Sequence, residues 1–313
     1  MKTVLLTTFA IIYFAVQVFA QTAPDKYWVK FTDKTNTPYS LTNPSDFLTS
    51  RAIQRRLAQN ISYAENDLPV DPAYIDSLEN IGVQVLTRSK WFNAATIYTN
   101  NQALLSQIQA LPFVQGIQKV ARLKTLAYNG VNLFREYDFK NQATPLSINN
   151  YGAGTNQIEM LNGHILHNDG FDGAGKVIAV LDAGFKNADT LACFQSLWDN
   201  KQIFGFRDFV TGDSTVFEDH SHGMSVLSTM GGYLPGQLIG TAPGAAYWLL
   251  RSEDTGSEYV IEEDNWVVAA EFADSVGADI INSSLGYTVF DISSQNHTYA
   301  DMDGNTTHVT RGA

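Results

Sequence analysis

Beyond residue 155 the sequence alternates between two kinds of segment, and this alternation restricts the fold more than any other feature. "KVIAVLDAG", "AAYWLLRSE" and "ADIINSSLG" are apolar runs without a polar face, so each reads as a strand buried on both sides. "QIEMLNGHILHNDG" precedes them, and "HGMSVLSTMGG" and "NWVVAAEFADSVG" fall between them, all with helical spacing. A strand with no wet face must be covered twice, and alternating helices supply the cover. The segment is therefore predicted to be α/β with a parallel sheet. In such open sheets a ligand sits beyond the carboxyl ends of the strands. Two of those ends carry polar chemistry: Asp182 follows "VIAVL", and Ser284, Leu285 and Gly286 follow "ADIIN".

The earlier part of the chain has a different character. "MKTVLLTTFAIIYFAVQVFA" combines a basic Lys2, an uncharged apolar core, and Val18 and Ala20 at small-residue positions. It reads as a secretory signal over 1–20, cleaved after Ala20, leaving a secreted chain with no membrane attachment. The competing reading is an anchor, since the apolar run approaches the length of a span. Residues 21–121 run strand, helix, strand, strand, helix, strand: "KYWVKF", "DPAYIDSLENIG", "VQVLTRS", "AATIYT", "NQALLSQIQAL", "FVQGIQKV". That order predicts a small α+β, ferredoxin-like domain with a split βαβ pattern. An insertion after the first strand, "NPSDFLTSRAIQRRLAQN", reads as helical and basic, and the block contains no cluster of catalytic residue types. Residues 122–155 lack sustained periodicity and read as a linker and processing region.

Composition removes several function classes. A net charge of −12 argues against nucleic acid, whose phosphates require a basic surface. The single cysteine excludes an intrachain disulfide and thiolate metal clusters. Cys193, within "TLACFQSLW", reads as a small core residue of an amphipathic helix.

The chemistry concentrates between Asp182 and "FEDHSHGMSVLSTMGG" at 217–232. A carboxylate at the end of a buried strand needs hydrogen bonds or a cation, and an imidazole supplies both. Asp182 as a simple turn cap is the plainer alternative. His222 opens a helix with small residues that pack closely on a sheet, whereas His220 lies in the polar stretch before it. The pair beside Asp219 also reads as half of a metal site. Ser214, in "GDS", lies in a polar connection ahead of the histidines and reads as a turn residue.

"IAVLDAGF", then "HGMSV", "GTAPGAAYWLLRSED" and "GADIINSSLG", taken in this order, resemble the subtilisin-like serine proteases over roughly residues 156–286. The resemblance implies a subtilisin-like catalytic domain over 156–313 and an inhibitory, folding-assisting propeptide over 21–121. It implies that Asp182 orients an imidazole, that His222 is the general base, and that Ser284, Leu285 and Gly286 wall the substrate cleft. Met224 and Ser225 depart from the family pattern within the helix. The implied partners are a polypeptide substrate and the chain's own propeptide lying at the cleft. The chemistry implies no cofactor and no metal, and structural calcium is not legible. The family's Gly-Thr-Ser-Met-Ala nucleophile segment is not among the 313 residues. The resemblance thus implies a fragment of a serine endopeptidase precursor, inactive as given. "DGN" ending at Asn305 is the one candidate oxyanion donor. Two other readings stay open: a metal-dependent hydrolase using His220 and His222 with either Asp219 or Asp182, and a non-catalytic secreted binding protein.

Overall fold

The computed structural model describes residues 26–121 and 150–313. The expected signal segment, and residues 122–149 of the expected processing region, lie outside the described residues. The N-terminal block comprises β1 (Lys26–Phe31), α1 (Ser50–Gln59), α2 (Pro72–Ile81), β2 (Gln84–Ser89), β3 (Ala94–Tyr98), α3 (Gln102–Gln109) and β4 (Val114–Ala121). Its sheet has the order β2-β3-β1-β4, with every neighbouring pair antiparallel. Local signals set the helix ends. The Asp71 carboxylate accepts the Ala73 N–H ahead of Pro72, and Gly82 closes α2 at φ +101°. Tyr27, Val29 and Phe31 of β1 pack with Tyr74, Ile75 and Leu78 of α2 and Leu105 and Ile108 of α3 on one face of the sheet.

The rest of the chain comprises α4 (Thr155–Glu159), α5 (Gly163–Asn168), β5 (Val177–Asp182), α6 (Gln195–Asp199), β6 (Ile203–Asp208), α7 (His222–Gly231), β7 (Tyr233–Leu234), β8 (Leu238–Ile239), β9 (Ala246–Arg251), α8 (Ile261–Ser275), β10 (Ile280–Ser283) and α9 (His308–Gly312). β10, β5, β9 and β6 form a parallel sheet in that order. The fold is thus mixed α/β with a parallel sheet, as the alternation requires. β5 and β9 are buried at every position and feed both faces. Ile178, Val180, Tyr247 and Leu249 meet Leu227 of α7 and Leu197 of α6 on one face. Val177, Ala179, Leu181, Trp248 and Leu250 meet Trp266, Ala270 and Phe272 of α8 on the other. Each fully buried side chain of this size contributes roughly 1.5–3 kcal/mol.

α8 lies between two sheets. The cluster that joins it to β5 and β9 also contains Trp28, Phe92, Ala94 and Val120 of the N-terminal block. Three of its buried acids have clear partners, while Glu262 Oε1 and Asp264 Oδ2 are buried without one among the described residues. Glu263 pairs with His297 and accepts the Val309 N–H, and Asp264 pairs with His308 Nδ1 at 2.5 Å. Glu271 accepts from Ser89 Oγ at 2.5 Å and from the Lys90 and Trp91 N–H groups at 2.8 and 3.1 Å. His308 in turn lies 4.7 Å, ring to ring, from Trp28.

Several expectations need correction. Among the described residues β10 is the edge of the sheet rather than a buried strand, and Ile280 and Ile281 are 51% and 38% exposed. The helical run before β5 is two short helices, because Asn162 turns left-handed at φ +57° between them. The helix expected around Cys193 is a 3-10 turn over Ala192–Phe194 that leads into the short α6. Residues 150–155, read as linker, dock: Gly152 bridges Leu238, and the buried Tyr151 hydroxyl meets His167 Nδ1 at 2.9 Å.

Candidate active site

Asp182 is the last residue of β5 and its side chain is 0% exposed. One carboxylate oxygen, Oδ1, accepts the Ala183 N–H at 2.7 Å and lies 2.7 Å from His222 Nδ1. The other, Oδ2, is buried with no hydrogen-bond partner among the described residues. His222 is the first residue of α7, and its side chain is 46% exposed. The ring is therefore tied at Nδ1 and open to solvent beyond it. A carboxylate on Nδ1 fixes the tautomer that leaves Nε2 as the basic nitrogen, and stabilises the ring once it takes a proton.

Two glycines make this approach feasible. A Cβ on Gly223 would lie 2.6 Å from the Gly184 carbonyl oxygen and 2.8 Å from Asp182 Cβ. Gly184 holds φ +144°, and a Cβ there would fall 2.6 Å from His220 N. The glycines of "DAG" and "HG" thus let the exit of β5 touch the first turn of α7.

His220 is exposed, and its Nδ1 accepts the His222 N–H at 3.2 Å. Asp219 faces Arg251 Nη1 at 3.2 Å rather than either histidine, and burial raises its carboxyl above the ordinary range. Among the described residues, no three His, Cys, Asp or Glu side chains converge on a point that could hold a metal ion. Ser214 is exposed in its loop. The Asn305 side-chain N–H donates to Asp303 O at 3.3 Å within an exposed turn, which leaves it no fixed oxyanion geometry. Cys193 is part-buried against the α7 side of the core, and burial pushes its thiol up.

The register of β10 against β5 pairs Ser283 with Leu181, so Ser284 leaves the sheet level with Asp182. Ser284 and Gly286 are exposed, while Leu285 is half-buried against the α8 side of the core. Trp266 Nε1 donates to Ser283 Oγ at 2.9 Å and holds this exit in place. Tyr287 donates to Glu253, whose carboxyl is raised by burial along with that of its neighbour Glu262.

Sequence reasoning missed a brace beside the pair. Arg251 ends β9 in register with both Asp182 and Asp208. It donates to Asp208 Oδ2 at 2.7 Å and to the Ala183 carbonyl at 3.3 Å. The residue after Asp182 is thereby pinned from the neighbouring strand. An arginine closing the apolar run "YWLLR" was the available signal.

A buried carboxylate on a half-open imidazole, at the carboxyl edge of a parallel sheet covered on both faces, is an arrangement suited to proton abstraction. Comparison with known proteins adds to this geometry. Residues 26–132 match the Peptidase S8 propeptide domain of the Bacteroidota. The chain is 30% identical over 134 residues to bacillopeptidase F of Bacillus subtilis (strain 168), a match covering 37% of this chain and 9% of that protein. Two solved structures of the epidermin leader peptide processing serine protease of Staphylococcus aureus, one of an alanine mutant, also align. They align at 15% identity with TM-scores of 0.41 and 0.42, over 83% and 84% of this chain and 50% of theirs. Residues 26–132 are thus similar to the propeptide domain of peptidase S8 proteases, and part of the chain is similar to a protease of that kind. The chain spans half the length of those solved chains, and its match spans a small part of bacillopeptidase F.

Proposed function

We propose that this chain is part of a secreted serine endopeptidase precursor in which Asp182 and His222 are the orienting carboxylate and the general base. The observation that carries the reading is the 2.7 Å contact between buried Asp182 Oδ1 and half-exposed His222 Nδ1. In this reading His222 Nε2 takes the proton of a serine hydroxyl as that oxygen attacks a peptide carbonyl. The imidazolium, held by Asp182, then returns the proton to the leaving amine. Ser284, Leu285 and Gly286 form one wall for the extended substrate backbone. The serine belongs to a Gly-Thr-Ser segment that is not among these 313 residues, so the chain by itself is expected to be inactive. The α/β part takes a subtilisin-like fold, and the β2-β3-β1-β4 order supports a ferredoxin-like propeptide. That propeptide occupies the cleft, and the connection at 122–150 is where the precursor is cut.

The test is mutagenesis in a polypeptide that also carries the Gly-Thr-Ser segment. His222→Ala should abolish self-cleavage and lower peptide hydrolysis by at least about 1,000-fold, because triad members act as a unit. His220→Ala should keep most of the activity. Hydrolysis by the 313-residue chain itself, blocked by a chelator and lost in His220→Ala, would establish a metal hydrolase instead.

A further inference from the structure

The basic insertion after β1 takes no part in the Asp182–His222 pair. In the structure it becomes α1, and its polar contacts outside the N-terminal block centre on the C-terminal end of α8 and the turn into β10. The Thr49 N–H donates to Ser275 O at 3.0 Å. Arg51 donates from Nε to Gly277 O at 2.9 Å and from Nη2 to Gly175 O at 3.2 Å, and it pairs with Asp279. Arg55, one turn on, donates to Ala278 O and pairs with Asp274 at 2.5 Å. Arg56 is clasped by Asp67 of its own block through two 2.7 Å bonds and reaches Asp274 at 2.6 Å.

Taken alone, this end of α8 is mismatched. A helix C-terminus presents open carbonyls and about half a negative charge, so cations belong there. The last turn of α8 contains no basic residue and carries Asp274 instead. The missing cations arrive mainly from α1, joined by Lys90 of the β2–β3 turn, whose Nζ donates to Ser275 Oγ at 2.7 Å and lies 3.7 Å from Asp274. The turn is also shaped for that approach: Gly277 sits at φ +82°, and a Cβ there would lie 2.7 Å from Ala52 N and 2.9 Å from Arg51 C.

We propose that α1 is a docking helix whose arginines recognise an acidic helix end followed by glycine, here residues 274–279. It keeps the N-terminal block bound after the connecting backbone is cut, and so sets how long the two pieces stay together. Any inhibitory consequence rests on the propeptide reading above; the docking itself does not.

The experiment uses the full chain with a recognition site for a sequence-specific protease placed within 130–145. After cleavage, co-elution of the pieces and their dissociation rate are measured, with no peptidase assay, so a failure of the protease reading would leave the result intact. The unaltered pieces should co-elute. Arg51→Ala with Arg55→Ala should speed dissociation at least tenfold. Asp274→Asn gives a sharper readout, because removing an acid from a helix C-terminus favours that helix. It should speed dissociation several-fold even though it leaves α8 with a better-matched end. Pieces that separate at once, or an Asp274→Asn dissociation rate equal to that of the unaltered chain, would overturn the proposal.

Discussion

At the scale of single residues, the site depends as much on what is missing from two positions as on the polar groups themselves. Gly223 and Gly184 have no room for a methyl group, whereas Gly286, on the proposed substrate wall, has nothing within 4 Å of where a Cβ would stand. Gly223→Ala should therefore destabilise the fold by about 1–3 kcal/mol through overpacking. Gly286→Ala should stay within roughly 0.5 kcal/mol, as open surface substitutions do. Chemical denaturation of the two variants side by side checks this, and equal midpoints would contradict the crowding seen around Gly223. Asp182, Gly184, His222 and Gly223 were legible in sequence because their spacing encodes this close approach. Arg251 was not, because its role depends on which strands are neighbours, and neighbour order is a property of the sheet.

Among the elements, α8 carries the strongest pH dependence. Burial raises the Glu271 carboxyl to about 7 against the pull of its hydrogen bonds from Ser89, Lys90 and Trp91. The unfolded chain gives up this proton near the ordinary carboxylate value, well below 7. Stability that the buried acid contributes at low pH is thus lost as the pH rises toward and through about 7. His308 works in the same direction. Its pairing with Asp264 outweighs burial and raises its pKa, so its contribution is complete below the ordinary imidazole value and fades above it. Glu271→Gln should flatten the fall in unfolding free energy between pH 5 and 8 by up to about 3 kcal/mol. Denaturant titrations at a series of pH values measure that slope. The elements themselves were legible where apolar periodicity was strong, as in α2, β5 and β9. β6 was missed because it is a half-exposed strand beside the polar run that leads to His220, and a break at Gly205 weakens its pattern. β10 was misjudged because an apolar run records what a strand is able to bury. It does not record whether a neighbour is there to cover it.

Over the whole molecule, the two parts share a core through α8, and sequence patterns do not reveal a contact between segments so far apart. Trp28 of β1 packs in the same cluster as Leu181 and Trp266. Trp28→Ala should cost about 3–5 kcal/mol. Its effect should appear in hydrogen exchange of β5 and β9 as well as in the N-terminal sheet. Protection lost from the N-terminal sheet alone would mean that the parts fold independently.

β10 has a consequence for handling the protein in solution. Among the described residues its outer side has no partner strand, and two isoleucines stand partly bare beside that row of backbone donors and acceptors. Such a border is a template for another chain. Concentrated samples of these 313 residues should self-associate reversibly, with light scattering rising steeply with concentration. A lysine in place of Ile280 should suppress that association, since a charge that must stay hydrated keeps a neighbouring molecule from laying its own strand alongside.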